Sequence, residues 1–183
     1  MSHDWIGDES FFRQLDQEDA RKAAAIRAAG CAACGGRLDR GDYPRKPRGG
    51  AIGIAGELFD RRRSFCCARV GCRKRATPES CIFLGRKVYL AVTVIVAAWR
   101  AEAPAAATPP RQTVRRWIAW FATQVPRTSW FVQVRARVMP LIEPSEVLPH
   151  ALVERFGVGR TVAEALATTL RIMAPLSVTR VAV

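Results

Sequence analysis

The chain has 183 residues, with Lys+Arg 29 against Asp+Glu 16 and a formal net charge of +13. That length suits one medium domain or two small ones with a real core. The charge excludes an acidic solvating protein. The longest apolar run, Val88–Trp99 with 12 residues, is too short for a membrane span, which needs about 20.

The N-terminus MSHDWIGDES is acidic and has no apolar stretch of the secretory type, so a cytoplasmic protein is expected. Asp8 stands at an N-cap position. Behind it Phe11, Phe12, Leu15 and Ile26 predict a helix from about Glu9 to Ala29, stopped by Gly30. Residues 31–75 are rich in Gly, Arg and Cys, and pieces such as AIGIAGELF and RSFCC read as strands. Val88–Trp99 is β-branched like a strand but long like a helix, and is assigned to a buried helix.

AEAPAAATPP reads as a linker. Thr108 is placed as the next N-cap and Pro109 at the first helical position. Val114, Trp117, Ile118, Phe121 and Val125 then share one helical face, with Arg111, Arg115 and Arg116 on others. SWFVQVRARVMPLI and PSEVLPHALVERF read as helical, the second interrupted by Pro149. RTVAEALATTLRIM closes the series, with Thr161 and Glu164 in capping-box spacing and Pro175 as terminator. The expected fold class is α+β, mostly α: an N-terminal helix over 1–30, a small antiparallel zinc ribbon over 31–85, and an all-helical, helix-turn-helix-like region over 86–183.

The cysteines carry the clearest chemistry. With no export signal, Cys31, Cys34, Cys66, Cys67, Cys72 and Cys81 read as thiols or metal ligands rather than disulfides. C-x-x-C at Cys31 and Cys34, followed by C-x4-C at Cys67 and Cys72, has the spacing of a zinc ribbon. Two short loops each supply two thiolates, and a structural zinc replaces the core that so small a sheet cannot build. Gly35 and Gly36 let the backbone turn under the sulfurs. Cys66 competes with Cys67 for the third position. Strand alternation favours Cys67, which shares a face with Phe65. Cys81 reads as a buried, inert thiol. A redox role for the C-x-x-C pair is disfavoured, because no βαβ pattern surrounds it.

Charge points to the partner. Residues 31–75 hold twelve Lys/Arg against four Asp/Glu, and Ala103–Ile142 holds six Arg and no acid. Most of these cations are Arg, whose forked donors match phosphate. The expected partner is DNA, contacted by Arg45, Lys46, Arg48, Arg61, Arg62 and Arg63 in the first block and by Arg111, Arg115 and Arg116 in the second. A protein partner or a homo-oligomer is the other possibility. No membrane contact is expected.

Enzyme signatures are missing. His3 and His150 neighbour no nucleophile motif, no phosphate loop or G-x-S-x-G is present, and GGAIGIAG reads as a hairpin turn. Trp117 and Phe121 read as core, whereas Trp120 and Trp130 are left open as base-stacking candidates.

The segment CAACGGRLDR … RRRSFCCARVGCRKRATPESCIFLGRKVYL resembles the N-terminal zinc ribbon of bacterial insertion-sequence transposases. There two cysteine pairs precede a Thr/Ser-rich turn, an aromatic-Gly-(Arg/Lys) step and a helix opening a helix-turn-helix. ATPES, FLGRK and the apolar helix from Val88 follow in that order, and TVRRW resembles the start of a recognition helix. The resemblance covers about residues 31–121 and implies zinc on Cys31, Cys34, Cys67 and Cys72. Two features depart from it. Little room separates Trp99 from Thr108 for a regular helix-turn-helix, and the last aspartate is Asp60, so the carboxylates of a two-metal catalytic site are lacking. LVERFGVGRTVAEALATTL also resembles the helix-turn-helix of winged-helix repressors. Its second helix is acidic and poor in cations, however, so it reads as a helical hairpin. The functional expectation is a zinc-ribbon DNA-binding protein of mobile-element origin with no catalytic centre, the alternative being a zinc-scaffolded protein-interaction module.

Overall fold

A computed structural model describes residues 9–45, 48, 59–85, 88–100, 109–143 and 145–178. The expectations placed on His3, Asp8, Lys46, residues 51–58, the linker at 101–108 and Thr108 lie outside the described residues. Helix α1 spans Glu9–Ala29 and buries Phe11, Phe12, Leu15, Asp19 and Ala23 in one stripe. Gly30, at φ 76°, supplies the left-handed residue that ends it.

Two small antiparallel sheets follow. Strands β1 (Leu38–Arg40), β4 (Phe65–Cys67) and β5 (Arg75–Ala76) form one, in the order β1-β4-β5. Strands β2 (Tyr43–Pro44) and β3 (Arg61–Arg62) form the other. Leu38 lies opposite Cys67, and Phe65 lies opposite Arg40 on one side and Ala76 on the other. Phe65 and Cys67 are buried while Cys66 turns outward. A slip of one residue would invert that choice.

The helical part contains α2 (Ala91–Arg100), α3 (Arg111–Thr123), α4 (Ser129–Arg135), α5 (His150–Gly157) and α6 (Val162–Met173). Short 3-10 turns follow α3 and α6 at Val125–Arg127 and Ala174–Ser177. Every residue from Ala91 to Ala97 is buried, which makes α2 the central helix. It packs against α3, where the Tyr89 and Trp117 rings meet edge-on at 5.1 Å. Helix α5 packs on α6, and α6 on α1. The main core joins these helices to Phe11, Phe12 and Leu15 of α1, to Phe59 and to Cys81–Leu84. A second, small cluster of Ala23, Cys31, Leu38, Phe65 and Cys67 lies between the far end of α1 and the three-stranded sheet.

Two helix boundaries differ from the sequence expectation, each beside a proline, and a third follows the expected interruption at Pro149. Helix α3 starts at Arg111 with Pro110 at the N-cap and no side-chain cap, so Pro109 precedes the helix. Pro110 disfavours helical backbone at the residue before it. Helix α4 stops at Arg135 instead of continuing to Ile142, because Pro140 lacks the N–H a continuing helix requires. Helix α5 begins only at His150, with Pro149 at its N-cap. The expected capping box of α6 forms: Thr161 Oγ1 accepts from the Glu164 amide at 3.3 Å, and the Glu164 carboxylate accepts from the Thr161 amide at 2.8 Å.

A buried polar network ties α1 to the loop before α2. The Asp19 carboxylate accepts from Ser80 Oγ and, at 2.6 Å, from the Cys81 amide. Ser177 Oγ accepts from the Ser80 amide at 2.8 Å and from Arg62 Nη2 at 3.4 Å, and Arg62 also donates to the Pro78 carbonyl.

Candidate metal centre

The first loop of the site is a tight turn after α1. The Cys34 and Gly35 amides donate to the Cys31 carbonyl at 3.2 and 2.7 Å, and the Cys31 amide donates to the Gly36 carbonyl at 2.8 Å. Gly35, at φ 67°, takes the left-handed conformation this turn requires. The second loop leaves β4 at Cys67. There the Cys72 amide donates to the Arg69 carbonyl at 3.1 Å, and the Cys67 amide to the Lys74 carbonyl at 2.9 Å. The Ala68 amide donates to the Arg37 carbonyl at 2.9 Å and stitches the two loops together.

This arrangement gathers Cys31, Cys34, Cys67 and Cys72, whose sulfurs all lie within 4.8 Å of one another. Cys31 Sγ is 3.7 Å from Cys72 Sγ, and Cys34 Sγ is 3.5 Å from Cys67 Sγ. A tetrahedral ion with metal–sulfur bonds of about 2.3 Å sets its ligands roughly 3.8 Å apart, so the tetrad is compatible with a structural metal site. All six cysteines are free of disulfides. Cys66 lies on the opposite face of β4 and donates to the Arg73 carbonyl at 3.4 Å.

The sulfurs also differ in basicity. The Gly36 amide, then the neighbouring sulfurs of Cys72, Cys67 and Cys31, draw the Cys34 thiol down to about 7 against an opposing desolvation. At Cys67 the Arg69 amide pulls downward, but burial and the sulfurs of Cys34, Cys72 and Cys31 prevail and push the thiol up to about 12. Four thiolates this close repel one another, and a divalent cation among them is what allows all four to ionise. Cys81 stands apart in the main core, raised to about 12 by burial and by Asp19.

The expected phosphate-contacting residues divide into two groups. Arg62 is only 3% exposed and Arg63 is held by Asp16 at 2.6 and 2.9 Å, so the Arg61–Arg63 run does not present three free guanidinium groups. The negative charge and backbone carbonyls around them consume donors that composition alone counts as available. Arg61 is exposed and donates to the Asp42 carbonyl at 3.2 Å. Arg45 lies over the Phe83 ring at 5.2 Å, and Arg48 is exposed while its backbone bridges Tyr89. Arg111, Arg115 and Arg116 are all exposed on the outer face of α3, and no acidic partner reaches them among the described residues.

Trp130 is buried and donates from Nε1 to the Ile172 carbonyl at 2.8 Å, and Trp120 packs against the core beside Phe121. Trp130 offers no open stacking face, and Trp120 is half-buried. Helix α6 buries Ala165, Leu166, Ala167, Thr169, Leu170 and Met173, which is the pattern of a packing helix. Sequence reasoning passed over Asp19, a buried acid within the apolar stripe of α1. It also passed over Arg69, Arg73 and Lys74, exposed on the second cysteine loop. Their signal was available: residues 61–78 contain no acid. Comparison with known protein families, curated proteins and solved structures found no match.

Proposed function

We propose that the chain is a zinc-ribbon DNA-binding protein of mobile-element, transposase-like origin with no catalytic centre of its own. The observation that carries this reading is the outer face of α3, where Arg111, Arg115 and Arg116 stand exposed beside small Ala119, without acidic neighbours among the described residues. Such a face suits close approach to phosphates, and α2 packed behind it gives α3 the support a reading helix needs. In this account α2 and α3 form the helix-turn-helix-like pair.

Zinc is the ion assigned to the tetrad, because four thiolates in a closed tetrahedron suit it and leave no position for a reactive water. Its role is structural. Free thiols fit a reducing cytoplasm, and no described helix is long and apolar enough to cross a membrane. Among the described residues the tetrad is the one group of three or more potential metal ligands, so no carboxylate set gathers for two-metal chemistry.

The test is fluorescence anisotropy of the zinc-loaded protein on duplex DNA over a salt series. Phosphate contacts make log K fall linearly with log salt, and Arg115→Ala/Arg116→Ala should lower the slope by about 1.8. Salt-independent binding, or none, would contradict the reading.

A second reading, a zinc-scaffolded module for a protein partner or a second copy of the chain, draws on a different surface. Met139, Leu141 and Val147 are exposed, Met139 to 80%. Arg155 holds their segment outward by donating to the Pro140 and Leu141 carbonyls, each at 2.8 Å, and to Glu146 at 2.6 Å.

A further inference from the structure

We infer that the loop joining Cys67 to Cys72, with the residues that leave it, is a second DNA-docking surface, on which Arg69, Arg73 and Lys74 hold backbone phosphates of a duplex and Val70 enters the groove between them. This deepens the DNA-binding reading and rests on it.

Four observations meet at this loop. The first is uncompensated charge. Residues 61–78 contain seven Lys/Arg and no acid. Before this stretch Arg37 is paired with Asp39 and Arg40 with Asp42, and within it Arg63 is held by Asp16. Arg69, Arg73 and Lys74 are exposed, and no side-chain partner reaches them among the described residues.

The second is Val70, which is 94% exposed at the tip. The protein gains nothing within its own fold from an apolar side chain held that far into water. Apolar side chains that enter a groove meet thymine methyl groups or sugar edges.

The third is rigidity. Cys67 and Cys72 anchor both ends of the loop in the metal tetrad, and the Cys72 and Arg73 amides both donate to the Arg69 carbonyl, at 3.1 and 3.4 Å. A loop fixed before binding loses little conformational entropy when it docks.

The fourth is backbone conformation. Gly71, at φ 86°, and Arg73, at φ 46°, are both left-handed, and Arg73 is the single non-glycine residue in that region among those described. Glycine would relieve the position, yet a cation occupies it, which fits a residue placed for its guanidinium. A patch of one sign without complement suits a polyanion.

The experiment compares the zinc-loaded full chain with Arg69→Ala/Arg73→Gly/Lys74→Ala and with Val70→Ala, by anisotropy on a short random-sequence duplex between about 50 and 200 mM salt. Glycine keeps the left-handed turn at position 73. Each variant is first shown to hold as much zinc as the parent. The triple variant should lose about 2.7 from the salt slope and weaken on all sequences alike. Val70→Ala should weaken binding about three- to ten-fold with the slope unchanged. If the triple variant sheds its metal, Lys74→Gln takes its place with an expected slope loss of about 0.9.

A parent slope retained in the metal-loaded triple variant, or in Lys74→Gln, overturns this inference. If Arg115→Ala/Arg116→Ala still lowers the slope, the broader reading stands. A parent that binds no duplex in a salt-dependent way overturns both. With a single-stranded RNA of equal length titrated alongside, a loss in the triple variant confined to that RNA overturns the assignment to duplex DNA.

Discussion

A β-carbon on Gly36 would stand 3.1 Å from Cys67 Sγ and 3.3 Å from Cys34 Sγ. The backbone therefore approaches the tetrad more closely than an ordinary β-carbon contact, and the sulfurs would have to give by a few tenths of an ångström. Gly36→Ala should weaken metal affinity by about ten- to hundred-fold, the range typical of changes just outside a ligand set, as read by competition with a chromophoric chelator. Parent-like affinity would show that the sulfurs sit more loosely than the distances indicate.

Asp19 makes a separate residue-level case. At 2% exposure it is the acceptor for both Ser80 Oγ and the Cys81 amide, and Asp19→Ala would strand them. We expect a loss of about 2–3 kcal/mol in urea unfolding. Burial raises its carboxyl above the usual 3.8, against the pull of Ser80, Cys81, Arg62 and Arg63. A folded value above the unfolded one means that this group favours folding most below pH 3.8, and that the contribution is lost as pH rises through the folded value. Asp19→Asn keeps an acceptor oxygen and does not titrate. The parent's stability relative to Asp19→Asn should therefore decline across that window and stay level above it. A difference that is flat throughout would contradict the raised carboxyl.

At this scale the gathering of Cys31, Cys34, Cys67 and Cys72 was legible, because cysteine spacing and strand alternation are local properties of the chain. The fates of Arg62 and Arg63 were not. Their partners, Pro78, Ser177 and Asp16, come from three distant places in the sequence.

Among the elements, the three-stranded sheet is the one least able to hold itself together. Its cluster has five buried residues, two of which are the sulfur-bearing Cys31 and Cys67, and its strands are two or three residues long. On the proposed reading, a sheet that small depends on a metal at the tetrad for folding energy. The helices share a much larger core that does not involve the tetrad. Chelation should therefore strip amide protection from β1, β4 and β5 while α2, α5 and α6 keep theirs, as followed by hydrogen exchange. Sheet protection that survives chelation would mean that the metal is not what orders it.

Elements with strong local signals were readable. Examples are α1, with its apolar stripe and Gly30, and α6, with its capping box. The end of α4 was misjudged because apolar periodicity ran on past Pro140, and the start of α3 because Pro109 was taken as its first residue, whereas the break at Pro149 was legible.

For the molecule as a whole, composition announced the excess of positive charge but not its deployment. Many of the N-terminal cations are spent inside the fold or against neighbouring acids. Among the described residues, the outer face of α3 and the second cysteine loop each hold three exposed cations that no acid reaches. The long-range pairs, Lys22 with Glu79 and Arg63 with Asp16, emerge only once the chain is folded. The cysteine-bearing part is organised around its four sulfurs, and the account stands or falls on their holding an ion. The most direct measurement is metal stoichiometry on the purified full chain, with Cys66→Ser and Cys67→Ser alongside. The account predicts one zinc per chain, retained in Cys66→Ser and lost in Cys67→Ser. A metal-free parent, or full occupancy in Cys67→Ser, would contradict it.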